Sequence, residues 1–184
     1  MEIVVQPFLG VLDNNTLNNL GNDISREFGD IKVTVATPAN DSNLVQLKAS
    51  SFDKRRNQWY SPKLLVWFFE KFRPNNDIKI LFILDVDAYS DGLNYVLGEA
   101  YPKGGLGIIY LPRIRQEFYG LKPDNQIFYE RMVKESVHEL GHVFDFVHCR
   151  HPLCVMHFSI SLADTDTKGR SFCSSCRGKF FKLD

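Results

Sequence analysis

An α/β domain, with helices packed on a twisted mixed β-sheet, is the fold class this sequence predicts. Three features carry that expectation. The first half of the chain alternates strand-like with helix-like patterns. The run IKILFILDV, residues 78–86, is apolar almost throughout, as a central strand buried on both faces must be. With 184 residues, of which 44% are hydrophobic, the chain can bury one substantial core, so a single compact unit is expected.

Taken in order, the β-branched run at Ile3 to Val5 predicts the first strand. Asp13 then caps a helix whose apolar positions Leu17, Leu20, Ile24 and Phe28 recur every three or four residues, and Gly29 ends it. IKVTVA, from Ile31, alternates with period two as a strand does. The polar stretch 38–60 shows no sustained period and is expected to be a long loop. Ser61 and Pro62 start a second helix, with Leu64, Leu65, Phe68 and Phe72 on one face, and Pro74 stops it. After the central strand, LNYVLGEA and GLGIIYL are expected to be further strands. A long helix follows from about Asp124, carrying Ile127, Met132, Val133, Val137, Leu140 and Phe144 on its apolar side. No internal repeat or low-complexity tract interrupts this plan.

Composition removes several function classes. Lys plus Arg equals Asp plus Glu at 22 each, so no overall field draws the chain to nucleic acid or anionic lipid. No apolar run approaches the length of a membrane span, and MEIVVQPFLG lacks the basic start and long apolar stretch of a secretion signal. A cytoplasmic monomer without nucleic-acid or membrane partners is the expectation. In that reducing compartment a cluster of cysteines points to metal before it points to disulfides.

The long helix ends in VHELGHVFDFVHCRHPLCVM, residues 137–156, which holds four of the five histidines and two of the four cysteines. His138 and His142 are four apart, so on a helix they project about 40° apart around the axis and about 6 Å along it. One ion can touch both imidazoles. Glu139 stands beside that ion, where it can hold a water and serve as general base. His148 lies ten residues after His138, about 15 Å along an unbroken helix. For it to be a third ligand the helix must end between Phe144 and Val147. Asp145 stands where such a turn is needed, and aspartate is among the few non-glycine residues that enter the left-handed region at modest cost. Three histidines leave a zinc ion one open position for water, which is a catalytic arrangement, whereas structural zinc is closed by four protein ligands. The opposing reading puts His148 in solvent and the pair on an ordinary amphipathic helix.

Cys149 and Cys154 form C-x4-C, and Cys173 and Cys176 form C-x2-C. The spacing suits a tetrahedral four-thiolate zinc site. Two disulfides, or Cys149 as an inhibitory thiolate on the histidine-held ion, are the alternatives; the second leaves the thiol site with three ligands. Since Cys149 follows His148 directly, a thiol-held ion can anchor the loop that aims the histidine.

HELGHVFDFVHCRHPLCVM followed by FCSSC resembles the archaemetzincin family of zinc metallopeptidases, within the metzincin clan, and GEAYPKGGLGIIYLPRIR upstream resembles that family's strand region. The one departure from the family's zinc motif is Asp145 in place of glycine. The resemblance implies a metzincin-like domain over 1–184, with a sheet-and-helix part at 1–147 and a zinc-stapled C-terminal part at 148–184. It further implies that His138, His142 and His148 bind a catalytic zinc, that Glu139 is the general base, and that Met156 occupies the methionine turn beneath the metal. Cys149, Cys154, Cys173 and Cys176 would hold a second, structural zinc. Met156 by itself reads equally as a core gap-filler.

The function expected from all this is hydrolysis of peptide bonds in a peptide or protein substrate by a water bound to the one catalytic zinc, the second zinc being structural. The substrate should pair with an exposed strand edge, for which GLGIIYL is the candidate, its glycines admitting another backbone or marking a bulge. Surplus to both sites are His151 and His157, expected in loops, and Asp164 and Asp166, expected at turns or caps. A zinc-ribbon module that binds nucleic acid or protein through its thiol site is the rival. Arg170, Arg177, Lys179 and Lys182 suit it, but it leaves the three histidines and Glu139 without a purpose.

Overall fold

The computed structural model describes residues 1–8, 12–38, 47 and 50–180. Its main sheet contains β1 (Glu2–Pro7), β2 (Lys32–Val35), β5 (Ile78–Leu84), β7 (Gly98–Tyr101) and β8 (Leu106–Tyr110), in the order β2-β1-β5-β8-β7. The first four strands in that order are parallel, and β7 alone runs antiparallel, against β8. A small second sheet joins β3 (Phe52–Asp53), β4 (Gln58–Tyr60) and β6 (Ala88–Tyr89).

Alternation along each strand sorts its side chains into two cores. Ile3, Val5, Leu81, Ile83 and Ile109 face α1 (Asn14–Glu27) and α3 (Asn125–Val143), meeting Leu17, Leu20 and Ile24 from the first helix and Met132, Val133, Val137 and Leu140 from the second. Ile80, Phe82, Leu84 and Ile108 face α2 (Ser61–Phe72), meeting Leu64, Leu65 and Phe68. Phe68 stacks on Phe82 with ring centroids 4.1 Å apart. Helices on both faces are why β5 carries an almost unbroken apolar run. Each fully buried Leu or Phe contributes about 1.5–3 kcal/mol.

The helix boundaries follow the expected signals. Asp13 caps α1 by accepting from the Thr16 amide at 2.9 Å, and Gly29 adopts φ 70° just past its end. Pro62 sits in the first turn of α2, and Arg73 closes that helix in the left-handed region immediately before Pro74.

Three expectations need correction. The stretch 38–60 is not one loop: β3 and β4 pair as a hairpin around Asn57, which has φ 56°, and β4 continues into a parallel pairing with β6. Strands of two and three residues are too short to impose a period, and residues 39–46, 48 and 49 lie outside the described residues. LNYVLGEA is strand only in its last part, from Gly98. GLGIIYL is not an edge. The short connection over 102–105 cannot cross the sheet, so β7 folds back antiparallel and lies outside β8, making β7 the border of the sheet.

The C-terminal segment adds α4 (Leu162–Thr167) and α5 (Ser174–Phe180). Cys154, Val155, Met156, Phe172 and Cys176 bury into the same core as α1 and α3. The last turn of α3 is therefore packed between the sheet and this segment.

Candidate metal centre

Asp124 starts α3 by accepting from the amides of Gln126 and Ile127, each at 2.9 Å. With Met132, Val133, Val137 and Leu140 turned into the core, helical spacing places Glu135, His138, Glu139 and His142 along an adjacent stripe. The helix stops where the third histidine requires. Phe146 donates its amide to the Gly141 carbonyl at 3.0 Å and Asp145 donates to His142 at 2.9 Å, while Asp145 takes φ 63°. These are the bonds of a Schellman-type ending, with aspartate occupying the left-handed position usually given to glycine.

The turn carries His148 back to the helix. His138 Nε2 and His148 Nε2 each lie 3.2 Å from His142 Nε2, and the three ligand atoms all fall within 4.8 Å of one another. His138 donates from Nδ1 to the Val155 carbonyl and His142 from Nδ1 to the Phe146 carbonyl, both at 2.7 Å. Those carbonyls can only accept, so each Nδ1 carries the proton and each Nε2 presents a lone pair to the other. Lone pairs gathered this closely repel unless a cation lies between them. Zinc fits: Zn–N bonds of about 2.05 Å in a tetrahedron place nitrogens about 3.3 Å apart. Burial, followed by the positive charge of Lys168, holds His138 well below the ordinary imidazole range, and burial also lowers His142 and His148. Neutral rings are what metal ligation needs.

Glu139 is buried beside the trio. Desolvation raises its carboxyl well above the usual range, with the charge of Glu135 adding and Lys168 opposing. A carboxylate with raised proton affinity suits a base that must take a proton from water. The sheet approaches Glu139 very closely. A Cβ at Gly98 would stand 2.6 Å from its Oε1, and one at Gly107 would stand 3.3 Å from its Cβ. The glycine inside GLGIIYL thus admits this glutamate, not a substrate backbone.

Met156 is fully buried with its Sδ against the helix backbone, 2.3 Å from where a Cβ on Gly141 would be. That contact accounts for glycine inside HELGH. The four thiols converge as a second group, with all four sulfurs within 4.8 Å of one another and Cys149 Sγ 3.8 Å from Cys173 Sγ. A disulfide needs about 2.05 Å, whereas Zn–S bonds of about 2.3 Å in a tetrahedron space sulfurs about 3.8 Å apart. Amides of His151 and Cys173 donate to the sulfurs of Cys149 and Cys154. The Cys176 amide leads the interactions that bring the Cys173 thiol down to about 7, while burial pushes Cys154 and Cys176 up.

His151 and His157 join neither group; His157 donates to the Cys149 carbonyl and His151 Nδ1 accepts from Leu153. Ser161 caps α4, its amide and hydroxyl both donating to Asp164 in a capping box, and Asp166 grips Arg131 with both carboxylate oxygens at 2.7 Å. Sequence reasoning missed Glu135 and Lys168, which pair at 3.0 Å and are almost wholly buried. Glu135 was detectable, three and four residues before His138 and Glu139 on one helix stripe; nothing local marks Lys168.

A cleft of about 490 Å³ opens over the trio, walled by β7, α3 and residues 158–161, with Tyr95, Leu97, Phe158 and Ile160 among its apolar lining. Among the described residues no helix is long and apolar enough to cross a membrane.

Residues 44–182 match the family model described as Peptidase family M54. The archaemetzincin of Pyrococcus furiosus is 35% identical over 177 residues, covering 96% of this chain and 91% of its own length. That of Pyrococcus horikoshii is 42% identical over 132 residues, 72% of this chain and 70% of the relative. Among solved structures, a zinc-dependent peptidase from Methanocorpusculum labreanum superposes with a TM-score of 0.83 at 26% identity, covering 96% of this chain and 99% of that one. An archaemetzincin from Archaeoglobus fulgidus, complexed with malonate, gives 0.75 at 31%, covering 97% and 99%.

Proposed function

The chain belongs to Peptidase family M54 and is a zinc-dependent metallopeptidase; from that premise we propose that His138, His142 and His148 hold the catalytic zinc and that Glu139 is the general base. The observation that carries this reading is the convergence of three imidazole Nε2 atoms beside the buried carboxyl of Glu139. Zinc bound there supplies a Lewis acid, which acidifies water and polarises a carbonyl. Glu139 takes the proton of the attacking water and passes it to the departing amine. Peptide or protein is the substrate class. The free edge of β7 is the strand on which an extended peptide pairs, since it borders the cleft and no strand covers its outer side among the described residues.

Cys149, Cys154, Cys173 and Cys176 hold a second zinc with a structural role, so the chain carries two ions. Residues 1–147 and 148–184 form one metallopeptidase domain, supported by the core that runs from α1 and α3 into Cys154, Met156 and Cys176. The enzyme works as a cytoplasmic monomer without nucleic acid; thiols spaced for a metal and not for a disulfide support the reducing compartment, and balanced charge supports the lack of nucleic acid. The binding-module alternative explains the thiols alone.

Glu139→Gln tests the mechanism. It should keep both zinc ions and the fold while lowering kcat by roughly a hundred- to ten-thousand-fold. Metal analysis and peptide hydrolysis measured side by side decide it: wild-type turnover in a fully loaded variant sinks the assignment.

A further inference from the structure

The described residues contain four buried side-chain polar atoms without a hydrogen-bond partner: Glu99 Oε2, Ser136 Oγ, Ser159 Oγ and Lys168 Nζ. Glu99, Ser159 and Lys168 line the catalytic cleft. Unsatisfied polar atoms are rare in folded interiors because each costs its desolvation, so their concentration at one cleft points to a ligand. Lys168 is the sharpest case. Its residue is 2% exposed, and its ammonium lies 3.0 Å from Glu135 Oε1 but off the direction of a hydrogen bond. Glu135 Oε1 is also shared, accepting from Thr165 Oγ1 at 3.2 Å. The ammonium is donor-only, with three N–H groups to satisfy, and the Ser159 hydroxyl can donate as well.

Lys168 follows α4, Ser159 lies in the segment after Met156, and both line the cleft that β7 borders. By exposed area the lining is largely apolar, which strengthens a charge-assisted bond formed there; the acidic groups on it are Glu99, Glu139 and Glu135, the last already paired with Lys168. Glu99, on β7, accepts from Ser90 through its other oxygen and is the only acidic group among the three.

We infer that Lys168 and Ser159 form a carboxylate-accepting subsite beside the catalytic centre, so that favoured substrates present a carboxylate close to the scissile bond. This deepens the peptidase reading and rests on it. The carboxylate can come from an Asp or Glu side chain or from the peptide's own C-terminus. In the second case the enzyme trims short pieces from carboxyl ends.

The test uses zinc-loaded full-length protein and acetylated, C-terminally amidated hexapeptides carrying Glu or Gln at each position in turn, plus a neutral parent with a free or amidated C-terminus. Wild type should show at least a tenfold higher kcat/KM for a carboxylate at one position, and the two peptide arms identify its source. Calorimetric binding to zinc-loaded Glu139→Gln should show the same preference without turnover. Lys168→Met should bring the acid-to-amide ratio close to one, and Lys168→Arg should retain part of it. Because Lys168→Met strands the Glu135 carboxylate, the double variant with Glu135→Gln is measured too, and Ser159→Ala, which leaves the ion pair intact, should lower the ratio severalfold. Equal binding of acid and amide peptides overturns the inference, as does a preference for basic residues, which would assign the cleft to Glu99. An acidic preference that survives in both the Lys168→Met and Ser159→Ala proteins overturns it as well. Selective binding of acidic peptides by a wild type that cleaves none of them refutes the peptidase reading and leaves the subsite standing.

Discussion

The histidine trio and the thiol quartet stand next to each other in the chain, joined by the bond between His148 and Cys149, yet they are built in opposite ways. Two of the three histidines are fixed by backbone carbonyls at the end of a 19-residue helix, the third is exposed, and a cleft opens over them. The thiols come from an irregular loop and a 7-residue helix, two of them buried, with sulfurs at the spacing of a closed tetrahedron. Where a long helix already supplies rigidity, metal can be left open for chemistry. Where the backbone is irregular, four thiols stand where they would close around an ion and hold the segment together.

The largest expected effect separates the two roles. Cys173→Ser should lose one equivalent of zinc and lower Tm by about 10 °C or more, because a structural ion is folding free energy for its segment. His148→Ala should lose activity and metal from the other site with a Tm change of only a few degrees. Equal Tm losses, followed by thermal denaturation, would break the contrast.

Next comes Gly141→Ala. The new Cβ would sit 2.3 Å from Met156 Sδ in a fully buried contact between the helix and the C-terminal segment. Overpacking of this kind costs about 1–3 kcal/mol. Since the clash lies between the two sites, zinc affinity should fall at both; an unchanged Tm would show that Met156 moves aside freely.

Acid should distinguish the centres more gently. Burial depresses all three histidines below the ordinary 6.5, so below that value the unfolded chain binds more protons on them than the folded one. Their contribution to stability is present above about 6.5 and is lost as pH falls toward the depressed folded values. Because depressed proton affinity delays protonation of the trio, its zinc and the activity should persist to a pH below 6.5, and chelator-monitored release should follow different pH profiles at the two ligand groups. Simultaneous loss of both ions would contradict the separation.

The smallest effect is expected at Asp145. Asp145→Gly relieves a left-handed non-glycine residue but frees the unfolded backbone, so stability should change by less than about 1 kcal/mol. Asp145→Val, which cannot take φ 63° without strain, should cost more and weaken zinc binding at the trio.

Much of the candidate metal centre, as a convergence of side chains, was legible in advance because its logic is local. An i, i+4 histidine pair on a capped amphipathic helix shares a side by helical geometry alone, and donor chemistry separates the imidazoles from the thiols. The turn at Asp145 was legible for the same reason. What escaped was everything that depends on packing between distant segments. The hairpin at Asn57 is too short to leave a period, and the strand reading of GLGIIYL was sound while its place in the sheet was not.

By itself the sequence determined the α/β class, the bounds of the three long helices, the candidate ligand set and the family, since these depend on periodicity, capping and motif spacing within short windows. Only the tertiary structure decided that β7 borders the sheet, that Gly98 and Gly107 exist to admit Glu139, and that Lys168 meets Glu135 under the cleft. The contacts of Glu139 with Gly98 and Gly107 and of Lys168 with Glu135 join residues more than about 30 apart in the chain, and no local pattern encodes which distant side chain will fill a given space.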